Sequence, residues 1–150
     1  MPSWHDPEQW QALRNGTACP VCMRGEPLDM VMRLDATWLT MKEAAPMRGY
    51  VCLVLQQHAV EFHDLDDAQA AAFMRDVRHV SRALAGLTGA VKLNYEVHGN
   101  VLPHLHMHIL PRYIGDPYET RPIDLAWGDT TVYAPGEFVP LRQHLMEALR

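Results

Sequence analysis

Residues 104–110 read His104-Leu-His-Met-His-Ile-Leu110, and this run constrains the fold more tightly than any other stretch of the chain. Polar and apolar residues alternate strictly, which is the period of a β-strand with two different faces. His104, His106 and His108 fall on one face, and Leu105, Met107 and Ile109 on the other, where they can enter a core. Successive histidines on such a face lie about 6.6–7 Å apart, a span that accommodates a phosphate group. Three imidazoles there can divide the work of nucleophile, acid or base, and hydrogen-bond donor. The same pattern also suits a metal, because His-x-His on a strand supplies two ligands. A solvated edge strand is the bland alternative. Pro103 is compatible with a strand start.

The rest of the chain supplies the partners for such a strand. Asp6 to Asn15 reads as a short helix, with Asp6 as cap, Pro7 in the first turn and Gly16 as stop. Thr17 to Cys22 reads as a tight turn. Leu28 to Leu34 and Thr37 to Met41 read as short strands around an Asp35-Ala36 turn. Tyr50 to Leu55 reads as a central strand. From Asp66, an apolar stripe of Met74, Val77, Val80, Leu84 and Leu87 predicts a long helix stopped by Gly86 or Gly89. Ala90 to Val97 reads as a strand, and Pro140 to Leu149 as a last helix. Strands joined by short turns, with helices between, predict an α+β fold: a mostly antiparallel sheet with packed helices, in a single domain spanning 1–150.

Composition removes several classes of function. Lys and Arg number 13 against 18 Asp and Glu, a formal charge of −5, which argues against a nucleic-acid binder that needs a basic face. The longest apolar run, Tyr50 to Leu55, is too short to span a membrane. Met1 to Pro7 has neither a basic start nor an apolar segment, so no secretory signal is expected. Three cysteines without such a signal point to a reducing, cytoplasmic setting rather than a disulfide framework. Cys52 reads as a small core residue.

The triad followed by Pro111-Arg112 resembles the motif of the histidine triad family, in which three histidines alternate with apolar residues. Lys92-Leu-Asn-Tyr-Glu-Val-His-Gly-Asn-Val-Leu-Pro103, Gly49-Tyr-Val-Cys-Leu-Val-Leu55, His58 and Phe62-His-Asp-Leu65 look like bacterial versions of it, so the resemblance runs from roughly Cys19 to Arg121. It implies an α+β protein, usually a homodimer, that acts on nucleotides or nucleotide conjugates. His106 would then attack the α-phosphorus to form a nucleotidyl-histidine, with His108 contacting the phosphate and His104 orienting the cluster. Asn100 matches a phosphate-contacting position and Asn94 a position near the ribose phosphate. Two residues depart from the pattern: Tyr50 stands where many members have a histidine after glycine, and Lys42 where an acidic or amide ribose contact is frequent.

Cys19-Pro-Val-Cys22 has the spacing of half a zinc site, which needs two further ligands. His58 and His104 are the best candidates, with His63 as fallback. The set Cys19, Cys22, His58 and His104 also resembles the zinc site of zinc-containing branches of the family, and implies a structural zinc. Free thiols and a redox pair are the alternatives. Arg112 and Arg121 could meet phosphates, but read first as solvated side chains. The reading that follows is a nucleotidyl hydrolase or transferase acting on a dinucleoside polyphosphate or nucleoside phosphoramidate. The alternatives are a non-catalytic nucleotide-binding module and a metal-dependent hydrolase that holds its metal on the three histidines.

Overall fold

A computed structural model describes residues 4–124 and 130–150. Its elements are α1 (Pro7–Arg14), α2 (Pro20–Arg24), β1 (Met30–Arg33), β2 (Thr37–Thr40), β3 (Val51–Leu55), a 3-10 turn (Phe62–Asp64), α3 (Asp67–Thr88), β4 (Lys92–Glu96), β5 (His106–Arg112) and α4 (Phe138–Ala148). The five strands form one sheet in the order β1-β2-β3-β5-β4, and every neighbouring pair is antiparallel. This is the expected α+β architecture. Among the described residues no helix is long and apolar enough to cross a membrane.

Local chemistry explains most element ends. Asp66 and Gln69 form a reciprocal capping box at the start of α3, and Gly89, with φ 66°, closes it. Gly86 lies inside the helix rather than ending it. Pro20 opens α2, so Cys19 to Cys22 begins a short helix and is not a free turn; Cys19 stands at its cap position. This helix follows another helix, not a strand, unlike a thioredoxin-type motif. Strands β1 and β4 are shorter than expected, and α4 starts two residues earlier than the proline at 140.

Two faces of the sheet have different fates. The face carrying Met107, Ile109 and Tyr95 is covered by α3, and the Tyr95 hydroxyl donates to Ser81 Oγ at 3.0 Å. The buried stripe of α3 is Phe73, Val77, Val80 and Leu84. Met74, expected in that stripe, is 46% exposed, and Asp76 takes an inward place instead. Its carboxylate accepts from the backbone N–H groups of Asp35, Ala36 and Thr37 and from the Thr37 hydroxyl, which ties the helix to the β1–β2 turn. On the opposite face, cross-strand register sets Thr40, Cys52, His108 and Glu96 in one row, and Trp38, Val54 and His106 in the next.

The first triad histidine departs from the expected strand. Strand β5 begins at His106, two residues later than the alternation predicts. The Leu105 carbonyl still accepts from Leu55 N at 3.0 Å, but the Leu105 N–H goes to the Ala59 carbonyl at 2.7 Å and the His104 N–H to Leu102 at 2.9 Å, so the ladder ends there. Freed from the ladder, His104 is buried at 1% exposure, on the side of Cys19.

Candidate active site

His106 and His108 project from β5 beside β3, with ring centroids 5.0 Å apart and nearly perpendicular planes. His106 Nδ1 lies 2.6 Å from the His104 carbonyl oxygen. A carbonyl only accepts, so Nδ1 carries the proton and Nε2 of the neutral ring keeps its lone pair. His106 lines a cavity of about 320 Å³ together with Val21, Leu28, Met41, Tyr50 and Leu102. This is within the size range of small-ligand pockets. Burial, then the neighbouring rings of His106 and His98, pulls the His108 imidazole down to about 4. His108 is therefore neutral near pH 7.

Tyr50 meets this pair from the residue before β3. Its hydroxyl lies 2.8 Å from His108 Nδ1, with the two rings 19° from parallel. Burial raises its phenol above the ordinary value. Gly49 makes the approach feasible: its φ is +82°, and a Cβ there would sit 2.8 Å from Thr88 Cγ2. Sequence reasoning marked Tyr50 as a departure from a pattern but did not find its partner. The signal was present in the alternation of 50, 52 and 54 on one face.

The residues expected to touch substrate outside the triad are placed less simply. Asn94 Oδ1 accepts from Arg112 Nη1 at 2.6 Å. Arg112 is not solvated but buried at 8% exposure, and its guanidinium also grips both carboxylate oxygens of Asp116 and the Arg121 carbonyl. It organises the loop after β5. That loop begins the Pro- and Gly-rich tail from Tyr113 to Glu137, of which residues 125–129 lie outside the described residues. Asn100 is exposed, and its carbonyl accepts from Trp4 Nε1 at 3.2 Å. Lys42 lines the same cavity as His106. His98, just after β4, sits 5.9 Å from the His108 ring and 3.0 Å from the Glu96 carboxylate.

A second cluster abuts the triad. One ligand atom from each of Cys19, Cys22, His58 and His104 lies within 4.8 Å of every other. His104 Nδ1 is 3.3 Å from Cys19 Sγ, 3.7 Å from Cys22 Sγ and 3.1 Å from His58 Nδ1, and His58 Nδ1 is 3.3 Å from Cys22 Sγ. Ligands about a tetrahedral zinc, at bond lengths of 2.0–2.3 Å, are separated by roughly 3.3–3.8 Å. Both rings hold backbone carbonyls through Nε2, His104 at Leu55 and His58 at Arg14, each at 2.7 Å. Each Nδ1 is thus an unprotonated acceptor with a cysteine sulfur at 3.3 Å, and two such nitrogens 3.1 Å apart repel unless thiol protons or a shared cation meet their lone pairs. The chemistry of the donor set fits zinc. Burial first, then the adjacent Cys19 thiol, pushes the Cys22 thiol up to about 11. A cation seated among the sulfurs would reverse that preference. Gly16, with φ +88°, passes 3.4 Å from the His58 ring measured from the position of a Cβ. His63, the fallback ligand, is outside the cluster, with 83% of its side chain exposed.

Comparison with known proteins agrees with this geometry. The HIT domain family model matches residues 25–115. A HIT-like protein of Methanocaldococcus jannaschii is 32% identical over 73 residues, which is 46% of this chain and 57% of that protein. The matched stretch therefore spans little more than half of the relative's length. A histidine triad protein of Bradyrhizobium japonicum superposes with a TM-score of 0.73 at 30% identity, covering 81% of this chain and 90% of that one. A zinc-bound histidine triad family protein of Mycobacterium smegmatis shares the fold at a TM-score of 0.62 and 19% identity, over 89% and 94% of the two chains. The family match takes in more than half of the chain and includes the whole triad, the sheet that carries it and the long helix behind it, so the chain belongs to the HIT domain family.

Proposed function

We propose that this protein is a nucleotidyl hydrolase or transferase that acts on the α-phosphate of a nucleotide conjugate, a dinucleoside polyphosphate or a nucleoside phosphoramidate. The observation that carries the reading is the pairing of His106 Nδ1 with the His104 carbonyl, which leaves Nε2 as the lone pair of a ring that lines a cavity of about 320 Å³. In the proposed reaction, His106 Nε2 attacks the α-phosphorus. The new N–P bond forms as the bond to the leaving group breaks; the leaving group departs with its electron pair and takes from solvent any proton it needs, while Nδ1–H stays on the His104 carbonyl. Water then cleaves the N–P bond, releasing the nucleoside monophosphate and restoring His106. The neutral His108 donates a hydrogen bond to a phosphate oxygen in both steps. Asn100 and Asn94 are the proposed polar contacts to the phosphate side, Asn94 acting from its seat on Arg112.

Zinc on Cys19, Cys22, His58 and His104 is part of the proposal, in a structural role that ties α2 to the triad. The zinc-bound relative and the two facing lone pairs support it. A metal held by all three histidines is disfavoured, because His104 Nδ1 and His106 Nδ1 point to different partners. We also propose a cytoplasmic homodimer. Edge strand β4, with Val91 before it 63% exposed, is the surface that supports it.

His106→Gly tests the reading. With adenosine phosphoramidate and diadenosine tetraphosphate as probes, turnover should fall roughly a thousandfold or more. Wild-type protein quenched without acid should show a nucleotidyl adduct by intact mass, and the variant none. Equal rates in the two proteins would overturn the assignment of the nucleophile. Nucleotide binding without any adduct in the wild type would instead make the protein a binding module.

A further inference from the structure

Three backbone or side-chain anchors meet the three triad rings. His104 Nε2 meets the Leu55 carbonyl, His106 Nδ1 meets the His104 carbonyl, and His108 Nδ1 meets the Tyr50 hydroxyl. The first two anchors are carbonyls and force a proton onto the ring atom they touch. The third differs, because a hydroxyl can give or take. Imidazole sp² nitrogen is a strong acceptor and a phenol oxygen a weak one, so the stronger pairing has the Tyr50 O–H donating to His108 Nδ1. We propose that Tyr50 is a positioning residue that selects the tautomer of His108, leaving Nδ1 bare and aiming an Nε2–H donor at the phosphate site.

Adjacent rings on β5 then have opposite Nε2 atoms: a lone pair on His106 for attack and an N–H on His108 for the phosphate oxygen. Reversing either tautomer removes one of the two functions. The two rings lie nearly parallel and edge to edge, Tyr50 buried and His108 half-buried, which limits the water that can compete for Nδ1. The catalytic consequence rests on the proposed nucleotidyl transfer; the tautomer does not.

Long-range proton–nitrogen correlation spectra of the resting protein, labelled with ¹⁵N-histidine and assigned with His108→Asn, read the tautomer without any turnover. The expected result is an unprotonated Nδ1 and a protonated Nε2 on His108. A protonated Nδ1 overturns the proposal even if the enzyme is active. In Tyr50→Phe, which keeps the ring, the His108 signals should shift toward a mixture of tautomers. With the same phosphoramidate probe, kcat should fall about tenfold, since loss of one hydrogen bond of ordinary strength both frees the His108 ring to turn and admits the wrong tautomer, while KM stays within about twofold. Tyr50→His, which restores a donor, should return kcat to within about threefold of wild type, a rescue that mere space-filling does not predict. An unchanged kcat in Tyr50→Phe overturns the inference. An inactive wild type with the expected His108 tautomer instead overturns the proposed reaction and leaves the tautomer assignment standing.

Discussion

The carboxylate of Asp76 gives the sharpest test of how the sheet is held in register. It is 5% exposed and takes four hydrogen bonds. Oδ2 accepts from Ala36 N at 2.8 Å, Thr37 N at 2.9 Å and Thr37 Oγ1 at 2.8 Å, while Oδ1 accepts from Asp35 N at 3.3 Å. In Asp76→Ala, the exposed turn at Asp35 lets water replace part of this set. Thr37 cannot be rescued so easily, since it is fully buried. Two stranded donors at about 1–3 kcal/mol each, partly offset by removal of a buried charge, give a loss of about 3–4 kcal/mol. Asp76→Asn keeps one oxygen, but its amide confronts the Asp35 N–H, for a loss of about 1–2 kcal/mol. Thr37→Val removes one donor and strands nothing on the carboxylate, costing about 1 kcal/mol. Urea unfolding measures all three, and a shift of midpoint at constant m isolates stability. The double variant should cost about 1 kcal/mol less than the sum, because its hydroxyl is no longer stranded. An Asp76→Ala midpoint within about 1 kcal/mol of wild type would refute this account of the turn.

Two further outcomes follow from the anchoring groups around the triad. The Arg112 guanidinium, with backbone N–H groups of Tyr113 and Tyr118, holds the Asp116 carboxyl down at about 2. A depressed carboxyl stabilises the fold above its unfolded value of about 3.9, and that stability drains as pH falls toward about 2. Asp116→Asn should lower the melting temperature at pH 7 and flatten its acid limb between those values; a parallel acid limb in the variant contradicts it. Cys22→Ser should reduce bound zinc from about one per chain and lower the melting temperature, while His63→Ala changes neither. Wild-type protein that retains no zinc after dialysis against it refutes the metal centre.

Legibility in the sequence tracked the range of the interactions. The alternation from 104 and the apolar stripe after Asp66 are local signals; the long helix stands where its signal puts it, and the strand starts two residues later than its own. Asp76 was invisible because a carboxylate inside an apolar stripe reads as a solvated helix residue until its partner at Thr37 comes into view. Arg112 was read as solvated for the same reason, although the Asp116 four residues on was available as a hint. The Cys-x-x-Cys pair was legible as chemistry but not as shape: proline at position 20 starts a helix as readily as it makes a turn.

His104 shows why the alternation alone could not describe the site. A strict strand would set its ring beside those of His106 and His108. The detour of the Leu105 N–H to Ala59 instead releases the ring toward Cys19 and His58. One residue then serves two clusters through different atoms. Its Nδ1 belongs to the proposed zinc ligands, its Nε2 is pinned to Leu55, and its carbonyl sets the proton on His106. Ligation of the ring would therefore fix the peptide whose carbonyl meets Nδ1 of His106, the proposed nucleophile. In the proposed reaction, zinc on these ligands would take no part in bond making and would still hold the attacking ring, through rigid backbone rather than through charge.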